Sequence, residues 1–285
     1  GTNGKDKWMN LATKMYGNLG KVENKGLDFS IDYVKRFNND FDMSFKGTFT
    51  YAHNKVLEYD EPDFQKYPNI SRVGHSVDQQ LLYIAERLFI DDSEVQRNPK
   101  QNLGGWVSGG DIKYKNLPDV NGNYDNVIDS NDRQYTGMPT TPEIYGFGPS
   151  FRYKKFDFSF FFQGAARVSI MMNGIHPFGA EGTRNVLQFI ADDYWSETNQ
   201  NIYAEYPRLS KRDNENNTKA STYWQRNGAF LKLKNLEVGF NHKFFRVYLR
   251  GSNLLTFSPF KYWDPEMGSG SGLSYPTQRV FNVGV

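Results

Sequence analysis

The stretch Asn121-Gly122-Asn123-Tyr124-Asp125-Asn126-Val127-Ile128-Asp129-Ser130-Asn131-Asp132 has the residue types and spacing best suited to holding an ion. A hard cation such as calcium takes roughly six to eight oxygens, and a 12-residue loop can supply them at alternate positions. Oxygen-bearing side chains stand at positions 1, 3, 5, 9 and 12 (Asn121, Asn123, Asp125, Asp129 and Asp132). Val127 offers its backbone carbonyl at position 7, and Ile128 holds position 8. Three departures weaken the match: Asn121 is neutral, Asn126 stands where glycine is usual, and Asp132 replaces a bidentate glutamate. Asp119 lies close enough to compensate for the neutral first ligand. Two expectations stay open: a calcium loop, or a polar turn closed by Asx hydrogen bonds without metal.

No other cofactor is required, and no catalytic constellation is visible. His53, His75, His176 and His242 have no metal-ligand spacing. Asp91-Asp92 and Asp192-Asp193 are adjacent pairs, whose side chains diverge on a strand or a helix, so neither makes an acid–base dyad. There is no G-x-S-x-G elbow. Gly104-Gly105 and Gly109-Gly110 lack the Gly-Lys-Ser/Thr ending of a phosphate loop, and Gly268 to Gly272 reads as a flexible loop. The absence of cysteine excludes thiolate sites, and a net charge of +2 gives no electrostatic case for nucleic acid. The chain is expected not to be an enzyme. Trp106, Tyr194, Trp195, Tyr223, Trp224, Tyr262 and Trp263 sit in predicted loops. They are expected to pack those loops or lie at a membrane interface, with ligand stacking as the alternative.

The elements that must position these residues are strands. Mean hydropathy is −0.70, and no stretch approaches the roughly 18 apolar residues of a spanning helix. A membrane barrel needs apolar residues only at every second position, so low hydropathy does not exclude it, and 16% aromatic content suits one. Period-two alternation predicts eight strands: near Gly26 to Tyr33, Phe41 to Tyr51, Leu81 to Phe89, Tyr145 to Tyr153, Phe156 to Gln163, Ala229 to Asn241, Phe244 to Phe257 and Thr277 to Val285. A phase change near Asn235 predicts a β-bulge. Tight turns at Asn38-Asn39, Lys154-Lys155 and His242-Lys243 alternate with long polar connections, notably Asp91 to Thr141 and Asn173 to Tyr223. Thr183 to Trp195 is spaced as a short helix within a loop. Short turns on one side and long loops on the other mark outer-membrane barrels. On pattern alone a soluble antiparallel sandwich, binding glycans through calcium, stays open beside the barrel.

Several blocks, in order, resemble SusC-like (RagA-type) TonB-dependent outer-membrane transporters. They include Tyr206-Pro207-Arg208-Leu209-Ser210, Phe230 to Phe240, Val247 to Phe257, Trp263-Asp264-Pro265-Glu266 and Tyr275 to Val285, with Asn18 to Gly26 and Pro139 to Glu143 upstream. The resemblance implies an all-β antiparallel transmembrane barrel, with residues 1–285 as the C-terminal segment of a 22-stranded wall. It also implies that a plug domain and TonB-binding segment lie outside this sequence, so that the chain is a piece of a longer polypeptide. Family members often carry a more Asp-rich form of the calcium-like loop. The implied activity is TonB-dependent import of oligosaccharides or oligopeptides across the outer membrane, beside a SusD-like surface lipoprotein.

Overall fold

Seven strands of the computed structural model form one antiparallel sheet in simple sequential order. They are Lys21–Arg36, Phe41–Glu58, Glu143–Tyr153, Phe156–Ala166, Phe230–Asn241, Arg246–Phe257 and Val280–Gly284, called here the first to seventh strands. The structure describes residues 20–138, 142–177, 185–212 and 214–285. Parts of two resembling blocks, at Asn18-Leu19 and Pro139 to Thr141, lie outside these.

The register explains the alternation. Directly paired residues share a face, and the pairing can be followed across the sheet. Phe29 faces Phe49, and Phe49 faces Tyr145. Phe147 faces Phe162, Phe158 faces Val238, and Val238 faces Leu249, which faces Val283. One apolar surface therefore runs unbroken over all seven strands, stitched by ring contacts such as Phe147–Phe162 at 5.6 Å. The opposite face carries Asp28, Thr50, Arg152, Asp157, Glu237 and Arg250. The predicted bulge is present: the register shifts between Leu233 and Asn235, returning the apolar residues to one face after Lys234.

None of these seven strands contributes to the main hydrophobic cluster of the described residues. Phe156 is 56% exposed and Phe158 39% exposed, and among the described residues no second sheet packs on this face. A water-facing sheet bearing such a surface would forgo roughly 1.5–3 kcal/mol per aromatic side chain. The all-β expectation therefore stands as a predominantly stranded fold, and no helix of the described residues is long and apolar enough to cross a membrane.

The core lies instead in the connections. Those joining the second to third, fourth to fifth and sixth to seventh strands are long and leave the same end of the sheet, while tight turns close the other end. The first two carry short ladders of their own (Gln80–Tyr83 with Arg133–Thr136, Ala85–Leu88 with Ile112–Tyr114, and Ser169–Met171 with Gln225–Asn227), and the connections join through the bridges of Tyr83 to Ser221 and Met172 to Gly270. Leu82, Leu88, Ile112, Tyr114, Ile128, Ile170, Ile190, Trp195 and Trp224 are buried together there. This corrects the expected strand at Leu81 to Phe89: it is two short strands within the loop assembly, not a wall strand. Leu82, Tyr83, Leu88 and Phe89 are all buried, which a segment with one solvated face cannot achieve. The helix expected from Thr183 spans Gln188–Asp192, and residues 183 and 184 lie outside the described residues.

Candidate functional site

The polar face of the sheet and the loops fastened over its end form the candidate site. On that face charges are matched rather than massed. The Arg246 guanidinium donates to Asp157 at 2.7 Å and to Glu237 at 2.6 Å, and Asn241 Nδ2 donates to Asp157 at 2.6 Å. Thr50 donates to Asp28 at 3.2 Å, Arg152 pairs with Asp42, and Arg250 donates to Asn235 at 3.2 Å. Phe161 also points this way. It occupies space above Gly146, where a Cβ would approach its ring to 2.7 Å. Such a wall presents donors and acceptors of both signs to whatever lies beside it.

A buried ion cluster holds the last long loop to this wall. Lys232, 1% exposed, donates from Nζ to both oxygens of Asp264 (2.8 and 2.6 Å), to Glu266 at 2.5 Å and to Thr277 Oγ1 at 2.9 Å. Lys234, brought to the same side by the bulge, donates to the other oxygen of Glu266 at 2.5 Å. Burial raises the Asp264 and Glu266 pKa values, but the lysines and other donors outweigh it and hold both carboxyls below their ordinary range. The cluster borders an open cleft of about 340 Å³ that includes Asn253, Lys261, Trp263 and Arg279.

A second buried charge locks loop to loop. Asp111 is fully buried. Arg208 donates from Nη2 to one oxygen at 3.1 Å and holds Nε 2.8 Å from the other as an ion pair, Asn214 and Asn217 each donate through Nδ2 (3.0 and 2.9 Å), and the Ser108 N–H adds 2.8 Å. The Arg208 guanidinium in turn lies 4.2 Å from the Trp106 ring. Asn216, also fully buried, accepts from Gln101 at 2.7 Å and donates to the Ile112 carbonyl at 3.0 Å. The partners are about a hundred residues apart in the chain, so spacing rules could not reveal them. The only advance signal was the Tyr206 to Ser210 block, which contains Arg208.

The sequence-expected ion loop is ordered by its own backbone. Asp119 accepts from the N–H groups of Asn121 and Asn123, both at 2.9 Å, and Asp125 accepts from Val127 N–H at 3.0 Å. Asp129 accepts from Asn131 N–H at 2.8 Å, while Asp132 accepts from Leu117 and Asp129 N–H at 2.6 and 2.8 Å. Val127 belongs to a two-residue strand paired with Lys100–Gln101, and Asn126 takes a left-handed φ of 60°. These are Asx turns. Asp132 is buried, and burial, together with Asp125 and Asp129 nearby, keeps its pKa above the ordinary value despite its two donors. Among the described residues no three His, Asp or Glu side chains are grouped to hold a metal. Calcium binding by Asp119, Asn121, Asn123, Asp125, Val127, Asp129 and Asp132 is carried forward as a proposal only.

Most other singled-out residues are structural. Asp91 caps the short helix Asp92–Arg97, and Asp92 accepts from Gly109 N–H at 2.8 Å. Asp193 accepts from Glu205 N–H at 3.1 Å. His176 is buried with its Nδ1 2.9 Å from the Tyr206 hydroxyl, and His75 stacks on Tyr135. Trp195 and Trp224 are core residues, with Tyr194, Tyr223, Tyr262 and Trp263 packed against that core. Trp106 alone of that group is largely exposed, under Arg208.

Comparison with known proteins places this arrangement. No family model matches the sequence. "TonB-dependent receptor P3" of Formosa agariphila is 28% identical over 297 residues, covering 94% of this chain and 29% of that protein. "TonB-dependent receptor SusC" of Bacteroides thetaiotaomicron is 24% identical over 295 residues, covering 97% of this chain and 27% of that protein. A solved "RagAB peptide transporter" chain superposes over 94% of this chain and 29% of its own length, with a TM-score of 0.67 at 20% identity. The sequence is thus similar, over nearly its whole length, to receptors named TonB-dependent and SusC. It spans less than a third of the length of these relatives. The superposition shows that this chain shares the fold of the corresponding part of the RagAB transporter chain.

Proposed function

We propose that the seven-stranded sheet is an arc of a closed, 22-stranded outer-membrane barrel, with residues 1–285 forming its C-terminal segment. Its function is TonB-dependent import of oligosaccharides or oligopeptides. The observation that carries this reading is the unbroken apolar face backed by a matched polar face, with no second sheet packed on the former among the described residues. Lipid satisfies such a face, and only a closed sheet leaves no unpaired backbone in hydrocarbon. The first and seventh strands would therefore each pair with a further wall strand.

In this reading the polar face lines the lumen. The segments Asp91–Thr141 and Asn173–Tyr223, already locked together through Asp111 and Arg208, present a rigid outer surface to a SusD-like lipoprotein. TonB acts through a plug outside these residues. The mixed-sign, hydrogen-bonding wall suits a neutral or zwitterionic oligomer better than a highly charged one. The test is uptake by the natural host. Deleting the gene should abolish accumulation of labelled oligosaccharides or oligopeptides, and so should de-energising TonB. Uptake unaffected by both would reject the reading.

A further inference from the structure

The tight-turn end of the sheet carries a repeated pairing that the transport reading does not use. Each of its three turns places a lysine beside an exposed aromatic ring. Lys35 Nζ lies 4.9 Å from the Phe37 ring, Lys154 Nζ 5.5 Å from Tyr153, and Lys243 Nζ 5.5 Å from Phe244. Lys155 stands exposed next to Lys154. None of these four lysines has a carboxylate partner among the described residues. The acids at this end are otherwise engaged: Asp42 with Arg152, and Asp157 with Arg246. Asp40 is the exception. Phe37 stacks on Phe41 at 5.0 Å and Phe156 packs on Phe240 at 5.1 Å, so an aromatic rim continues between the turns.

We infer that this rim binds anionic phospholipid headgroups, with the rings seated at the acyl boundary and the lysines on the phosphates. The inference rests on the membrane-barrel reading. A ring at the hydrocarbon edge is amphipathic enough to stay there, and a lysine one headgroup away keeps its stem apolar and its ammonium wet. A lysine held beside a ring over the same surface meets phosphate without an internal competitor. Charge complementarity thus selects an acidic lipid over a zwitterionic one, and the spacing of three turns along the rim would hold several lipids side by side.

The natural full-length polypeptide, purified in detergent, is incubated with equal phosphatidylglycerol and phosphatidylcholine, and retained lipid is counted by native mass spectrometry. Preferential retention of phosphatidylglycerol is expected. Each lysine removed in a K35Q/K154Q/K155Q/K243Q series should lower it about fivefold. A K21Q/K55Q control at the opposite end should retain the preference, and heat-modifiable electrophoretic mobility shows that each variant is folded. Excess inorganic phosphate should not displace the lipid. Equal retention of the two lipids overturns the inference, as does an unchanged preference in the folded quadruple variant or an equal loss in the control. A polypeptide that stays monodisperse without detergent overturns both the inference and the barrel reading, whereas detergent dependence without lipid preference removes the inference alone.

Discussion

Lys232 Nζ bonds both carboxylate oxygens of Asp264, at 2.8 and 2.6 Å, across 32 residues of chain. The lysine belongs to the polar face of the wall and the aspartate to the loop that precedes the last strand. Replacing one partner strands the other charges in a buried place, which costs about 3–5 kcal/mol. Lys232→Met should therefore free residues 258–279. Limited proteolysis will read this as new cleavage near Gly268 to Gly272, with the wall still resistant. Lys234→Met, touching only Glu266, should have a smaller effect.

Arg208→Ala leaves Asp111 buried with only neutral donors, and the same order of loss, about 3–5 kcal/mol, is expected. Arg208→Lys keeps the charge but not the fork, so it should recover only part. Hydrogen exchange at Ile112 and Tyr114 is the measurement. Faster exchange in the alanine variant, with the lysine variant between, is the predicted order.

Acid should loosen the loop assembly at Glu94. Burial raises its pKa, but Arg87, the Ile90 N–H and Lys113 overcome this and hold it at about 2, below its ordinary 4.5. A depressed carboxyl contributes stability above the unfolded value and loses it as pH falls from about 4.5 towards about 2. Arg87→Gln should shift that loss to higher pH in a denaturation series. An unchanged acid profile would contradict the assignment.

The ion-loop proposal has a direct test. Titrating millimolar calcium into the protein should give heat that vanishes in Asp129→Asn. No heat would reject the site.

The wall was legible in the sequence because alternation is a local property. Phe156, Phe158, Phe160 and Phe162 state their face within one strand, and the phase slip after Leu233 announced the bulge. The loop core was not legible. Leu82, Tyr83, Leu88 and Phe89 are apolar without a period, since all four are buried, and they read as a wall strand. Asp111 and Arg208 are individually ordinary. Only folding brings them together, and a pairing across the chain leaves no spacing to recognise. The Asn121 to Asp132 pattern reads as an ion loop because calcium loops and chained Asx turns draw on the same residues.

The central claim is that alternate residues of one strand face lipid and water. This stretch contains no cysteine of its own, so single spin labels at positions 157, 158, 159 and 160, placed in the natural protein with any other cysteine replaced and studied in lipid bilayers, can read it. The account predicts that labels at Phe158→Cys and Phe160→Cys relax with lipid-soluble oxygen, and those at Asp157→Cys and Ser159→Cys with a water-soluble nickel chelate. Labels at positions 158 and 160 shielded from both reagents, as in the core of a two-layer sandwich, would contradict it.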